Sequence, residues 1–300
     1  MLVDLRGLVS SKDLNKDKLD FLFSLTSHLK NTGKSKLLQD SLIEQSVGTV
    51  ALIFQEPSTR TKTSFNEAIF ALGGRAIDFN IKNSSLTKGE SIEETVLNLN
   101  SLELDGIVLR SSEEFLPSQL KALNDVDMWI INAGDGKGEH PTQVIGDTFC
   151  LMDSIGLSGK KITIIGDVEH SRVAHSLINL WPSLGVDLSL LPTSSFKSDL
   201  NSFDTLQEAQ DYSDVLYVLR PQSERWSSTD TEILKSYSDI TVNSLNENQY
   251  LMAPGPVMLG VDISSDLLKH ERSLIFNQVN WGLYGRAAVI KYLSEGGNFG

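Results

Sequence analysis

Six short apolar runs constrain this chain most: 49-TVALIF-54, 106-GIVLR-110, 128-MWIINAG-134, 161-KITIIGD-167, 186-VDLSLL-191 and 214-DVLYVLR-220. Each reads as a strand, and TVALIF, a continuous apolar run with β-branched residues, reads as one buried on both faces. Between them apolar residues recur at helical spacing. Phe65, Ala68, Ile69 and Leu72 are the clearest case, and Gly73-Gly74 stops that helix. Strands that alternate with helices need crossover connections, which build parallel sheets covered on both faces. The expectation is an α/β chain of two doubly wound parallel-sheet domains, 1–137 and 138–281, with the break near 135-DGKGE-139. Amphipathic helices are expected over 13–30 and 35–46, and a closing helix over about 282–294. A mobile polar loop is expected over 221–247.

The charge narrows the partners. With 39 acidic against 26 basic residues the formal charge is −13, which argues against nucleic acid or an anionic membrane as a general partner. A local cluster of Arg and Lys can still invert the field for a small anion. Cys150 is the only cysteine, so no internal disulfide forms, as suits a reducing cytosol. The N-terminus carries early acidic residues and no long apolar run, so it is not read as a signal peptide. No run approaches the roughly 20 apolar residues of a membrane span. A cytoplasmic protein is expected.

Open parallel sheets bind ligands beyond the carboxyl ends of their strands. After TVALIF comes 57-PSTRTK-62. A helix starting near Arg60 offers backbone N–H groups and the positive end of its dipole to an anion. Ser58, Thr59 and Thr61 add hydroxyls, and Arg60 adds a fork of donors matched to phosphate. A plain helix cap explains one such hydroxyl equally well, but not three beside an arginine. The stretch is not a P-loop, since GxxxxGK[ST] occurs nowhere. Later strand ends supply Arg110, then His140 and Gln143, then Arg220 and Gln222, then Pro254-Gly255-Pro256. Taken singly, Arg110 reads as a solvated arginine and His140 as a structural histidine. His140 and Gln143 do lie three apart at a helix start and can face one site. A metal site using His140 with Asp135 or Asp147 has no recognised ligand spacing. The turn 166-GDVEHSR-172 lacks GxGxxG, so it is a weak dinucleotide signal.

Taken in order, FQEPSTRTKTSF, SSLTKGES, DGIVLR, INAGDGKGEHPTQ, IIGDVEHSRVAHS and YVLRPQSER resemble the motifs of the carbamoyltransferases over nearly the whole chain. They resemble the aspartate branch more than the ornithine branch, whose SMG loop and late Cys are missing. The resemblance implies transfer of the carbamoyl group of carbamoyl phosphate to L-aspartate, an early step of pyrimidine biosynthesis. It implies that Ser58, Thr59, Arg60 and Thr61 hold the phosphate. Arg110, His140 and Gln143 would bind the carbamoyl group. Lys88, with Ser84 or Ser85 nearby, would reach in from a neighbouring subunit of a homotrimer. Arg172 and Arg220 would grip the two carboxylates of aspartate, with Gln222 alongside, and the backbone at Pro254 and Gly255 would meet the reacting nitrogens. Glu56, Arg172 and Arg225 would stabilise a closed domain arrangement. The active site would lie in the cleft between the domains and at a subunit interface, with helix 282–300 packing back on the first domain. Regulatory chains or dihydroorotase are possible members of a larger assembly.

The chemistry suits these residue types by itself. An amine attacks a carbamoyl carbon, an oxyanion forms, and Thr61, Arg110 and His140 are donors suited to stabilise it. No side-chain nucleophile, metal or cofactor is required. Closure of the domains would align the substrates and exclude water. Three departures from the family pattern cluster late in the chain. Ala253 replaces the His of His-Pro-x-Pro, Val257-Met258-Leu259 stands where Asn-Arg is usual, and Trp281-Gly282 replaces Asn-Gly. The competing expectations are a carbamoyltransferase for an ornithine-like amine and a non-catalytic paralogue.

Overall fold

The computed structural model describes residues 6–39, 46–79, 89–123, 126–194, 196–225 and 240–299. It divides into two units, Met1–Gly146 with Trp281–Gly300, and Asp147–Asn280. Among the described residues each unit carries one sheet, and every strand pair is parallel.

The first sheet contains β1 (Gly7–Leu8), β2 (Thr49–Phe54), β3 (Arg75–Phe79), β4 (Gly106–Ser111) and β5 (Trp129–Asp135), in the order β1-β5-β4-β2-β3. Its helices are α1 (Lys16–Thr32), α2 (Thr59–Ala71), α3 (Ile92–Ser101) and α4 (Leu116–Lys121). The chain leaves β2 for β3 on one side and returns to β4 on the other. The strand order therefore reverses between β2 and β4, the place where such sheets open a binding crevice. The register sets Phe54 beside Arg110, and Gln55 N–H donates to the Arg110 carbonyl at 2.9 Å. This brings the segment after β2 next to the end of β4. Val50, Ala51, Leu52 and Ile53 are all buried, as a strand covered on both faces requires. On one face Ala51, Ile53, Ile107, Leu109 and Ile130 pack with Val96 and Leu99 of α3 and with Leu116 and Leu120 of α4. Truncating Ile53 to Ala there costs about 2–5 kcal/mol.

The second sheet contains β6 (Lys161–Gly166), β7 (Asp187–Pro192), β8 (Asn201–Ser202), β9 (Val215–Val218) and β10 (Tyr250–Met252), in the order β10-β9-β6-β7-β8. Its helices include α6 (Arg172–Leu180) and α7 (Leu206–Tyr212). The reversal falls between β6 and β9, whose register sets Ile165 beside Val218. Two further helices, α5 (Pro141–Ser154) and α8 (Ile275–Ser294), run through the points where the units divide.

Several boundaries differ from expectation for physical reasons. Helix α8 begins at Ile275 and not near 282. Asn277, Gln278 and Asn280 interrupt its apolar pattern, and Gly282 reads as a breaker. A Cβ on Gly282 would lie 2.9 Å from Arg286 Nη1, the end of a flexible side chain. The expected helix over 35–46 is a 3-10 segment, Lys34–Gln39, and residues 40–45 lie outside the described residues. The strand expected over 214–220 stops at Val218, which leaves Arg220 in the following loop. The strands β1 and β8 are two residues each, too short to carry a period. Residues 80–88 and 226–239, where the two polar loops were expected, lie outside the described residues.

Candidate active site

In the first unit, α2 starts at Thr59 with Ser58 as its N-cap residue, and the Ser58 side chain makes no cap hydrogen bond. The first rung of the helix ladder runs from Lys62 N–H to the Ser58 carbonyl at 3.2 Å. The N–H groups of Thr59, Arg60 and Thr61 precede that rung, so the ladder does not use them. Thr59 and Arg60 are exposed and Thr61 is buried. Lys62 pairs with Asp78 at 2.5 Å. Arg110 is the penultimate residue of β4, with Nε 3.4 Å from Glu56 Oε2 and Nη1 3.5 Å from the Ala133 carbonyl. The structure thus gives Glu56 a partner within its own unit.

His140 is buried, and its carbonyl accepts from Gln143 N–H at 3.0 Å and Val144 N–H at 3.3 Å, starting α5. Two carboxylates shape the turn before it. Asp135 Oδ1 accepts from Glu139 N–H at 2.7 Å and Asn132 Nδ2 at 3.1 Å, while Oδ2 accepts from Phe115 N–H at 2.8 Å. Burial pushes the Asp135 carboxyl above its ordinary value. Glu139 accepts from Ser10 Oγ at 2.6 Å, from Ser11 N–H at 2.7 Å and from Ser11 Oγ. The segment before α1 thereby clamps the residue next to His140. Gln143 Oε1 accepts from Arg286 Nη2 at 3.3 Å.

In the second unit, Arg172 is the first residue of α6 and only 3% exposed. Arg220 grips both carboxylate oxygens of Glu224, with Nη1 2.9 Å from Oε2. Burial works to raise the Glu224 carboxyl, but the hydrogen bonds and charge of Arg220 outweigh it and hold it down at about 2. Gln222 is used inside the loop. Its N–H donates to Asp167 Oδ2 at 3.0 Å, its Nε2 donates to the Arg220 carbonyl at 3.1 Å, and its Oε1 accepts from Arg225 Nη1 at 2.9 Å. Arg225 also donates to the His170 carbonyl at 3.1 Å, and His170 Nδ1 lies 2.7 Å from Asp167 Oδ1. After β10, Gly255 adopts φ +60°, a conformation that favours glycine, and the Gly255–Pro256 bond is cis. Ala253 N–H donates to Gln278 Oε1 at 2.9 Å, and Gln278 Nε2 donates to the buried Asp147 at 2.8 Å.

The chain matches two family models in sequence. Residues 6–153 match the aspartate/ornithine carbamoyltransferase carbamoyl-P binding domain, and residues 158–293 match the Asp/Orn binding domain. The chain belongs to this family. Among curated relatives, an aspartate carbamoyltransferase catalytic subunit from Aliarcobacter butzleri is 36% identical, covering 96% of this chain and 98% of the relative. The corresponding subunit of Malacoplasma penetrans is 34% identical, covering 97% of each chain. Among solved structures, the aspartate transcarbamoylase of Trypanosoma cruzi in complex with N-(phosphonacetyl)-L-aspartic acid has a TM-score of 0.85 at 25% identity, covering 95% of each chain. The catalytic subunit of the M. jannaschii enzyme has a TM-score of 0.82 at 29% identity, covering 97% of this chain and 99% of that one.

Within this family's frame, Ser58, Thr59, Arg60, Thr61, Arg110, His140 and Gln143 stand at the strand ends and helix starts of the first unit. Arg172, Arg220, Gln222, Pro254 and Gly255 do so in the second. Ser84, Ser85 and Lys88 lie outside the described residues. Trp281, where the family pattern has Asn, stacks on Phe23 at 5.6 Å under the Lys30 ammonium, so it is a packing residue of the first unit. Ala253 is buried and held by Gln278 through its backbone, which a change of side chain does not remove. Sequence reading missed Glu139, Glu224 and Arg286. The signals were present: Glu224 stands four residues after Arg220, and Arg286 interrupts the apolar run 283-LYGRAAVI-290.

Proposed function

We propose that this chain transfers the carbamoyl group of carbamoyl phosphate to L-aspartate, yielding N-carbamoyl-L-aspartate and phosphate. The start of α2 carries the reading: its N-cap Ser58 makes no side-chain cap hydrogen bond, with Thr59, Arg60 and Thr61 in the first turn. Such a start suits a phosphate. Ser58, Thr59, Arg60 and Thr61 bind the phosphate. The amine of aspartate attacks the carbamoyl carbon, and a C–N bond forms as charge moves to the carbonyl oxygen. Thr61, Arg110 and His140 donate to that oxyanion, and each such donor contributes about 2.7–4 kcal/mol to lowering the barrier. Collapse breaks the carbon–oxygen bond to phosphate, which departs with the amine's proton. Gln143 and the backbone of Pro254 and Gly255 hold the carbamoyl nitrogen. Arg172 and Arg220 bind the two carboxylates of aspartate, with Gln222 as a second-unit support. Two arginines suit a dicarboxylate and oppose a cationic amine such as ornithine. Lys88 and Ser84 complete the site from a neighbouring copy in a cytoplasmic homotrimer. None of the described helices is long and apolar enough to cross a membrane.

The test is phosphate release from carbamoyl phosphate by the purified protein, with L-aspartate and L-ornithine in parallel. Release with aspartate alone is expected. Release with ornithine alone overturns the acceptor, and release with neither overturns the transferase.

A further inference from the structure

Arg286 sits in the apolar stretch of α8, yet its guanidinium is buried, with 5% of the residue exposed. Nη1 donates to Ser64 Oγ at 3.0 Å and Nη2 donates to Gln143 Oε1 at 3.3 Å. Its Cζ lies 5.4 Å from the centre of the Phe65 ring. Ser64 and Phe65 belong to α2, whose start carries Ser58 to Thr61, and Gln143 belongs to the first turn of α5. One side chain therefore ties together the two helices that present the carbamoyl phosphate residues. The backbone makes room for it. A Cβ on Gly282 would meet Nη1 at 2.9 Å, and a Cβ on Gly146 would lie 2.7 Å from Gly282 Cα, so α5 and α8 cross on paired glycines.

A buried guanidinium is costly, and an apolar residue fills the same space with less penalty if packing alone is needed. What the guanidinium adds is direction. It has only donors, so it bonds the oxygen of the Gln143 amide and never the nitrogen. It thereby sets which end of the amide faces which way. Its fork spans Ser64 and Gln143 at once, which a lysine's point charge does not reproduce. We propose that Arg286 is a positioning residue for the carbamoyl phosphate site, fixing the orientation of the Gln143 amide and coupling it to α2. This rests on the function proposed above.

The test is a double-mutant cycle in the full-length protein with Arg286→Gln, Gln143→Ala and the pair. Arg286→Gln is expected to lower kcat/KM for carbamoyl phosphate roughly tenfold to a hundredfold, the range of one charge-assisted hydrogen bond. KM for aspartate should stay put, and the double variant should be no worse than Gln143→Ala alone. Additive losses, or an equal loss toward both substrates, overturn the proposal. If Arg286→Gln does not fold, Arg286→Lys carries the same cycle, since it keeps the charge and loses the fork. A readout independent of turnover is the side-chain amide resonance of Gln143, assigned by its disappearance in Gln143→Ala. It should lose order in the Arg286 variant. An unchanged resonance overturns the inference even where the wild-type protein is active, whereas absent turnover with a changed resonance overturns only the function.

Discussion

The helices α2 and α6 begin at corresponding places in their sheets, each after the strand that borders the switch point, and each has a serine N-cap. Ser171 accepts from Ala174 N–H at 3.3 Å and so caps α6, while Ser58 makes no such bond to α2. Ser91 and Thr205 also cap their helices, each in a box with a glutamate. At these three starts the chain uses its own side chain, whereas α4 starts after Phe115 with no side-chain cap. At α2 the serine makes no side-chain cap hydrogen bond, and a start of that kind suits an anion. The candidate residues of the second unit are held differently. Arg172 is packed at the start of α6, and Arg220 is held in a fork by Glu224. A phosphate site can be built from backbone, because its many oxygens match convergent N–H groups. The carboxylate site proposed for the second unit rests on long side chains, and these need partners to limit their rotamers.

The strongest way to break this comparison is Arg60→Ala. Because Arg60 is exposed, kcat/KM should fall about 10²–10³-fold, as for loss of one donor to developing charge, with little change in melting temperature. Equal losses in activity and stability would show that the α2 start is structural.

The next test concerns how the second unit holds the loop after its last strand. Asp262 is buried, its Oδ1 accepts from Met258 N–H at 2.8 Å, and burial pushes its carboxyl up to about 6. The folded state therefore binds this proton more tightly than the unfolded chain, whose carboxyl titrates near 3.8. The contribution is full below that value and is lost as pH rises through about 6. It amounts to something of order 2 kcal/mol. Asp262→Asn keeps the acceptor oxygen and should flatten the decline of stability between about pH 4 and pH 6, read by denaturant unfolding at several pH values. An unchanged slope would sink this account.

Glu224→Gln sharpens the side-chain half of the comparison. Loosening the fork on Arg220 should raise KM for aspartate roughly threefold to tenfold, about 1 kcal/mol of orientation, and leave KM for carbamoyl phosphate alone. A lower KM for aspartate would mean that Glu224 competes with the substrate and does not position Arg220.

The smallest effect is the most direct. Ser171→Ala should cost about 1 kcal/mol, as for an ordinary lost cap, while Ser58→Ala should cost less than about 0.5 kcal/mol. Equal costs in thermal unfolding would place Ser58 among the plain caps.

The sequence by itself determined the two parallel sheets, because uninterrupted apolar runs between helical stretches leave few other ways to bury both faces of a strand. It also placed Ser58–Thr61, His140 and Arg220 after strands and Arg110 near the end of one, the side on which parallel sheets bind ligands. Short elements were not legible: β1 and β8 have no period to read, and the start of α8 is hidden by its own polar residues and Gly282. Only the tertiary structure decided which polar groups serve each other. Arg286 with Ser64 and Gln143, Ser10 and Ser11 with Glu139, and Gln278 with Ala253 are far apart in the chain. Local pattern does not encode such pairs. They follow from which helix crosses which strand end, and that is fixed when the cores pack.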